Sequence, residues 1–323
     1  MSEKREGGIH MARGLAIALL GVGLILPSVA SAGRHGGRNL TVSTDDSSPV
    51  RTCADIRVLF SGREAARSEE RLSAVPGLGP LSLRLPENSG IWVRGTDRRD
   101  FGVVACKAAE SAAALSRVSV SLGNGELKAA GPDEGGWVVH FIVEAPRNAD
   151  LDLGGRNGPI QVEDMAGRVA ARISNGPLGF RNCTGTIRAE AENGPIDLDG
   201  SSGEISARAT NGPISVDGRA GSVRVDTENG PISVRLRGDS WENGSLEARA
   251  INGPLSLQIP RGYRTGTVVQ SDGHSPFQCR VEACGEARKS WDDDSRRVEF
   301  GRGSTAIRLS TVNGPVSVES AKD

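Results

Sequence analysis

The chain has 323 residues, with 39 Lys and Arg against 40 Asp and Glu, a formal net charge of −1. Charge so evenly balanced leaves no electrostatic footprint for nucleic acid, which is excluded as an expected partner. Aromatic residues make up 3% of the chain and glycines number 43, which excludes a thick aromatic core and predicts many turns around a thin one.

At the N-terminus, "MARGLAIALLGVGLILPSVASA" joins one basic residue, Arg13, to an apolar stretch from Leu15 to Leu26 and the small-residue site Ala30-Ser31-Ala32. That layout predicts a secretory signal peptide over residues 1–32, cleaved after Ala32. The apolar stretch falls short of the roughly 20 residues that span a bilayer. Met11 is an alternative start to Met1, because "MSEKREGGIH" mixes acidic and basic residues in a way unusual for such a leader. The expectation is an exported protein of the periplasm, the outer surface or the medium.

Residues 33–67 read as a linker and leading segment, with 33–50 a flexible linker and "SGREAARSEERLSAV", from Ser61, a short helix. Residues 68–150 read as degenerate β repeats forming a cap. Strand, Asn/Gly turn and strand follow one another in "PLSLRLPENSGIWVRGTDRRDFGVVACKAA" and "RVSVSLGNGELKAAG".

Residues 151–259 carry the regular pattern. The triplet NGP begins at Asn157, Asn175, Asn193, Asn211, Asn229, Asn252 and, farther on, Asn313, at spacings of 18 four times, then 23, then 61. The turn pairs are completed by Gly158, Gly176, Gly194, Gly212, Gly230, Gly253 and Gly314. A second turn glycine recurs at Gly167, Gly185, Gly203, Gly221 and Gly244. Between turns the apolar residues alternate, as in Ile196/Leu198 and Ile205/Ala207/Ala209, which is the strand signature. Glycine is expected to supply a positive φ at the corner, and proline to fix φ on the way out.

Two architectures fit: an antiparallel meander with Asn-Gly hairpins, or a solenoid in which each 18-residue unit is one coil. Identical residues at identical positions favour the coil, because in-register stacking rewards asparagine ladders and apolar columns. Proline after each Asn-Gly would remove a ladder donor from a hairpin strand. The outward column Arg172, Glu190, Arg208, Asp226, Arg249 alternates in sign if coils stack. The fold expected is all-β, a single-stranded parallel β-solenoid of β-helix or β-roll type.

Residues 260–304 form an insertion, read as one further coil whose corner is a protruding loop with Cys279, Cys284, Trp291 and Asp292–Asp294. Residues 305–323 are the final repeat. The five cysteines give candidate disulfides Cys53 with Cys106 and Cys279 with Cys284, leaving Cys183 unpaired or bridging chains. No Cys-x-x-Cys occurs and His35, His140 and His274 are scattered, so neither metal nor cofactor is expected.

In "EAPRNADLDLGGRNGPIQVEDMAGRVAARISNGPL" and "NSGIWVRGTDRRDFGVVACKAA" the chain resembles a bacterial family of exported β-strand-repeat proteins labelled "putative adhesin", a domain of unknown function. The resemblance covers roughly residues 80–320. It implies a β-solenoid and an extracytoplasmic location, and it brings no catalytic residues.

The function expected is a non-catalytic binding, adhesion or structural scaffold for an envelope or surface component, polysaccharide or protein. One alternative is a polysaccharide-acting β-helix enzyme using Asp197, Asp199 and Asp217. Against it, the position of Asp199 and Asp217 is taken by Glu163, Arg181 and Arg235 in other coils, and aromatics for sugar stacking are few. Another is a self-assembling extracytoplasmic solenoid, open to end-to-end growth if a terminal coil is uncapped. A calcium-binding nonapeptide roll would need an aspartate in nearly every turn, and no such column exists. No catalytic residue is assigned.

Overall fold

The computed structural model describes residues 40–44, 50–76, 80–123, 126–272 and 275–321. The expected signal peptide and its cleavage site, the stretches 33–39 and 45–49, and the residues His35 and His274 lie outside them.

Alternating aliphatic residues form strands, and the glycine corners turn them, so each repeat contributes one strand to each of two sheets. In the first sheet the strand after each NGP lies parallel to its counterpart in the next repeat: Ile160 beside Leu178, then Ile196, Ile214 and Ile232. In the second, Val169 lies beside Ile187, then Ile205, Val223 and Leu246. The fold is all-β, with long sheets of stacked parallel strands in a solenoid-like arrangement; the regular repeats do not form a meander. Residues inserted before Gly244 are anchored by Trp241, whose Nε1 donates to the Gly221 carbonyl at 2.9 Å.

Inward side chains of both sheets share one core. The buried Thr227 and Thr311 hydroxyls donate to the carbonyls of Gly212 and Gly253, at 3.1 and 2.8 Å, which satisfies them without breaking the column. At the NGP corners glycine answers a steric demand more than a torsional one. Gly158, Gly176 and Gly194 have positive φ, but Gly212, Gly230, Gly253 and Gly314 do not. A Cβ on Gly212 would stand 2.1 Å from the Gly194 carbonyl oxygen. Backbone stacks on backbone there, and no side chain fits. Proline costs nothing, since the Gly N–H and the following Ile or Leu N–H carry the hydrogen bonds between coils.

Coil order in space departs from coil order in the sequence at both ends. The final repeat, Arg302–Asn313 and Val316–Ser320, does not end the stack. It lies between the repeat of Leu246–Asn252 and Leu255–Ile259 on one side and the insertion's strands Thr265–Asp272 and Phe277–Cys279 on the other. The insertion does hold a further coil, and it is the outermost one. Antiparallel strands Ser295–Phe300 and Arg288–Trp291 then continue the second sheet. At the other end, Leu81–Arg84 and Ile91–Thr96 stack directly on the first regular repeat. Glu126–Ala130 and Trp137–Pro146 form a later coil outside them. Asp100–Ala109 and Ala66–Pro76 extend the first sheet antiparallel, and Ser119–Gly123 the second.

Two expectations fail in the leading segment. Leu40–Thr44, expected as linker, is a strand, because Leu40 and Val42 are buried in a small sheet with Ile56–Phe60 and Arg63–Glu64. "SGREAARSEERLSAV", expected as helix, forms a turn at Ser61–Gly62 and the strand Ala66–Pro76. Its Ala, Arg and Glu favour helix locally, but pairing with Asp100–Ala109 overrides a preference of a few tenths of a kcal/mol per residue. The small sheet packs on the outer face of the first large sheet, in a second core with Val138 and Ile142. A disulfide joins Cys53 to Cys106 across this contact.

Candidate functional site

Asn157, Asn175, Asn193, Asn211, Asn229, Asn252 and Asn313 form one ladder. Each Nδ2 from Asn175 onward donates to the preceding Oδ1 at 2.9–3.1 Å. Asn157 donates to Asn88 at 3.3 Å, an eighth member marked in the sequence only by "ENSG" before Ile91. The amides spend their hydrogen bonds on one another, so the ladder is structural.

Two of the three acids considered for catalysis, Asp199 and Asp217, are tied into ion pairs. Arg237 donates to Asp217 Oδ1 at 2.5 Å and to Asp199 Oδ1 at 2.7 Å. Arg181 bridges Asp199 and Glu163, and Arg51 also holds Glu163. The hydrogen bond to Asp217 raises the pKa of Arg237 further, so this cation stays charged. Asp197 is exposed beside Gly179 and Ser215. In the insertion, Asp292 caps the turn to Ser295 by accepting from the Ser290 and Ser295 hydroxyls. Among the described residues no group of His, Cys, Asp and Glu could hold a metal ion.

Cys279 is bonded to Cys284. Cys183 is buried and free; its thiol donates to the Arg181 carbonyl at 3.4 Å, and burial pushes its pKa up to about 11. His140 is buried under the small sheet, where its Nδ1 accepts from the Gly90 N–H at 2.9 Å. Its Nε2 has no partner among the described residues, and burial lowers its pKa to about 4.

The site the structure assembles lies on the outer face of the second sheet. A groove of about 670 Å³ crosses five adjacent strands, and each contributes one arginine: Arg84, Arg156, Arg172, Arg188 and Arg208. Neighbouring strands stand about 4.8 Å apart, so the row runs roughly 19 Å along the stack. One glycine shapes its floor. Gly154 occupies a position that carries Arg172, Glu190 and Arg208 in the next three strands. A Cβ there would come within 3.1 Å of the Arg84 side chain, so the gap lets Arg84 lie across the strand. Its neighbour Gly155 faces the other way, into the core beside Ile173, where a Cβ would meet the buried Cδ1 at 2.8 Å.

Exposed partners hold these guanidinium groups in place. Arg84 donates to Asp152 at 2.6 Å and Arg156 to Glu87 at 2.6 Å. Arg172 and Arg188 share Glu190, at 3.1 and 2.7 Å, and these hydrogen bonds, Arg188's first, hold its carboxyl below the usual range. Arg208 makes no ion pair among the described residues. The alternating column of Arg172, Glu190, Arg208, Asp226 and Arg249 is thus in register, but only its Arg172–Glu190 step is an ion pair; Asp226 pairs with Arg224 on its own strand. Sequence reasoning passed over Gly154-Gly155, although "LDLGGRN" breaks the strand alternation and marks the hollow.

No family model matches the chain, and no curated protein matches it. Solved structures to which it is similar include a "putative adhesin" from Bacteroides fragilis, at 9% identity and a TM-score of 0.35, covering 80% of this chain and 97% of that one. A "putative adhesin" from Parabacteroides merdae aligns at 10% identity and a TM-score of 0.34, over 79% and 96%. A "putative cell adhesion protein" from Clostridium sporogenes aligns at 10% and 0.21, over 79% and 100%. Scores this low decide neither fold nor ligand.

Proposed function

We propose that the protein is an exported, non-catalytic β-solenoid that serves as a binding or adhesion scaffold in the cell envelope, with the arginine groove as its contact surface. The observation that carries this reading is the row itself: five guanidinium groups, one per strand, on a sheet around a hollow left by Gly154. Exposed ion pairs contribute about 0–1 kcal/mol each, so a ligand carboxylate or phosphate exchanges with Asp152, Glu87 or Glu190 at little cost. The component bound is an anionic polysaccharide or an acidic protein surface. The leader sequence and the two cysteine pairs support an oxidising, extracytoplasmic setting.

The polysaccharide-cleaving alternative loses support because Asp199 and Asp217 both accept from Arg237, leaving Asp197, whose pKa desolvation raises, without a second free carboxylate beside it. End-to-end assembly loses some support because antiparallel strands extend both sheets past the N-terminal coil and the second sheet past the C-terminal one, with only the short parallel strand Phe277–Cys279 left at the edge of the first. The test is retention of residues 33–323, with both disulfides formed, on the organism's own envelope fractions. Saturable, salt-sensitive retention that falls at least about tenfold in an Arg172→Gln/Arg208→Gln variant is expected. Absence of retention, or equal retention by the variant, overturns the assignment.

A further inference from the structure

The described chain begins at Leu40, and Leu40 forms part of the wall of a groove of about 350 Å³. Phe60, its partner across the small sheet, stands beside it, and Pro86, Pro132 and Trp137 supply the rest of the apolar lining. Two tight turns frame this groove. In one, which joins Leu81–Arg84 to Ile91–Thr96, the Ser89 N–H donates to the Pro86 carbonyl at 3.3 Å. In the other, which joins Glu126–Ala130 to Trp137–Pro146, the Pro132 carbonyl accepts from the Gly135 N–H at 3.1 Å and from Trp137 Nε1 at 3.0 Å.

The turns also carry the charge. Glu87 lies on the first, the exposed Asp133 and Glu134 lie on the second, and no lysine or arginine lines the groove. Arg156 reaches Glu87 from outside the lining, and Arg117 stands 3.7 Å from Glu134. Asp133 makes no ion pair among the described residues. An apolar trough with an acidic rim suits a basic, extended segment that is slender enough to lie close to it.

The residues that lead into Leu40, "GRHGGRN", have that chemistry. Arg34 and Arg38 are cationic, no acid is present, and Gly33, Gly36 and Gly37 bring no side chain between backbone and surface. Fully extended, the segment reaches about 25 Å at most. Joined directly to a wall of the groove, it meets the rim at an effective concentration of about millimolar, so weak contacts suffice to hold it.

We propose that residues 33–39 dock in this groove as a strap, with Arg34 and Arg38 pairing with the carboxylates of Asp133 and Glu134. The strap ties the small sheet to the turns of the two N-terminal coils. It starts at the expected cleavage site after Ala32, where removal of the leader adds an α-amino group that is largely protonated at pH 7.

The test is trypsin cleavage of the folded chain 33–323, with disulfides intact, read by mass spectrometry after Arg34 and after Arg38. A docked segment is cut only from its open state, so the rate follows the open fraction. Cleavage after Arg34 is expected to be at least about tenfold slower than in a free peptide of residues 33–44 in the same buffer, and the difference shrinks as salt screens the pairs. An Asp133→Asn/Glu134→Asn variant, whose melting curve checks that the fold is kept, is expected to be cut several-fold faster than the wild type. Slow cleavage that this variant relieves supports the strap. Wild-type cleavage at the free-peptide rate, or equal protection in the variant, overturns it. Protection that grows with protein concentration also overturns it, because the groove then takes the segment of a second copy.

Discussion

Acidification should loosen this protein through one histidine. His140 sits on the strand Trp137–Pro146, covered by the small N-terminal sheet and by the ring of Trp92 at 5.7 Å. Because Nδ1 accepts from the Gly90 N–H, the proton resides on Nε2, and a second proton has no acceptor inside. Of the groups lining the adjoining cavity, Arg67 and Lys107 are cationic and Glu69 is the one carboxylate. The folded pKa is about 4 against an ordinary 6.5, so the unfolded chain binds the proton first as pH falls. Stability from this group is complete above pH 6.5 and is lost as pH drops towards 4. Linkage gives a loss of about 2 kcal/mol by pH 5 and about 3 kcal/mol by pH 4. Urea unfolding of the wild type and of His140→Asn, whose amide oxygen can still accept from Gly90, measures the difference at each pH. Carboxylates titrate alike in both proteins and cancel. Parallel stability curves between pH 7 and 5 would refute the reasoning.

Further outcomes follow from the same geometry. Ile214→Ala, at a fully buried position, should cost about 2–5 kcal/mol, and Gly212→Ala should be comparably severe because its Cβ meets the Gly194 carbonyl. Asp217→Ala should cost less than about 1 kcal/mol; similar denaturation midpoints for all three would sink the stacking account. Replacing Cys53 and Cys106 by serine frees a far longer loop than replacing Cys279 and Cys284, 53 residues of separation against 5, and should cost about 4 against about 2 kcal/mol in chain entropy alone. Cys183 should resist thiol reagents in the folded protein and react at once in denaturant; rapid alkylation of the native state, followed by mass spectrometry, would contradict its burial. A chain cut at residue 304 loses an internal coil, so its cooperative melt should disappear; a melt within a few degrees of wild type would contradict the coil order.

The stacked core was readable because its information is local and repeated. The spacing of Asn193, Asn211 and Asn229 fixes which residues lie side by side, and the alternation around Ile196, Ile214 and Ile232 fixes which face the interior. The leading segment was not readable in this way. "LTVST" is short and flanked by polar residues, and only its docking on Ile56 and Val58 makes it a strand. The edge strand from Ala66 carries Arg67, Glu69, Glu70 and Arg71, a composition that reads as helix until Asp100–Ala109 is beside it. The groove left a trace in Gly154-Gly155, but the charges around it were legible only as a ladder, because sequence spacing shows adjacency and says nothing of which partner a guanidinium turns to.

Rank in the stack is a different kind of information from membership in it. "VNGPVSVES" has the grammar of a coil, and that grammar is satisfied equally at the end of the stack or inside it. What decides is the exposed edge. A solenoid that stopped on Asn313 and Val316 would leave both sheets with open parallel edges, ready to pair with another chain. Here the insertion supplies Thr265–Asp272 and Phe277–Cys279 first, and the last repeat then enters beside them. The same solution operates at the other end, where Trp137–Pro146 comes to lie between Ile91–Thr96 and Asp100–Ala109. At the N-terminal end both sheets finish on antiparallel strands; at the C-terminal end the second does, while the first finishes on the short parallel strand Phe277–Cys279.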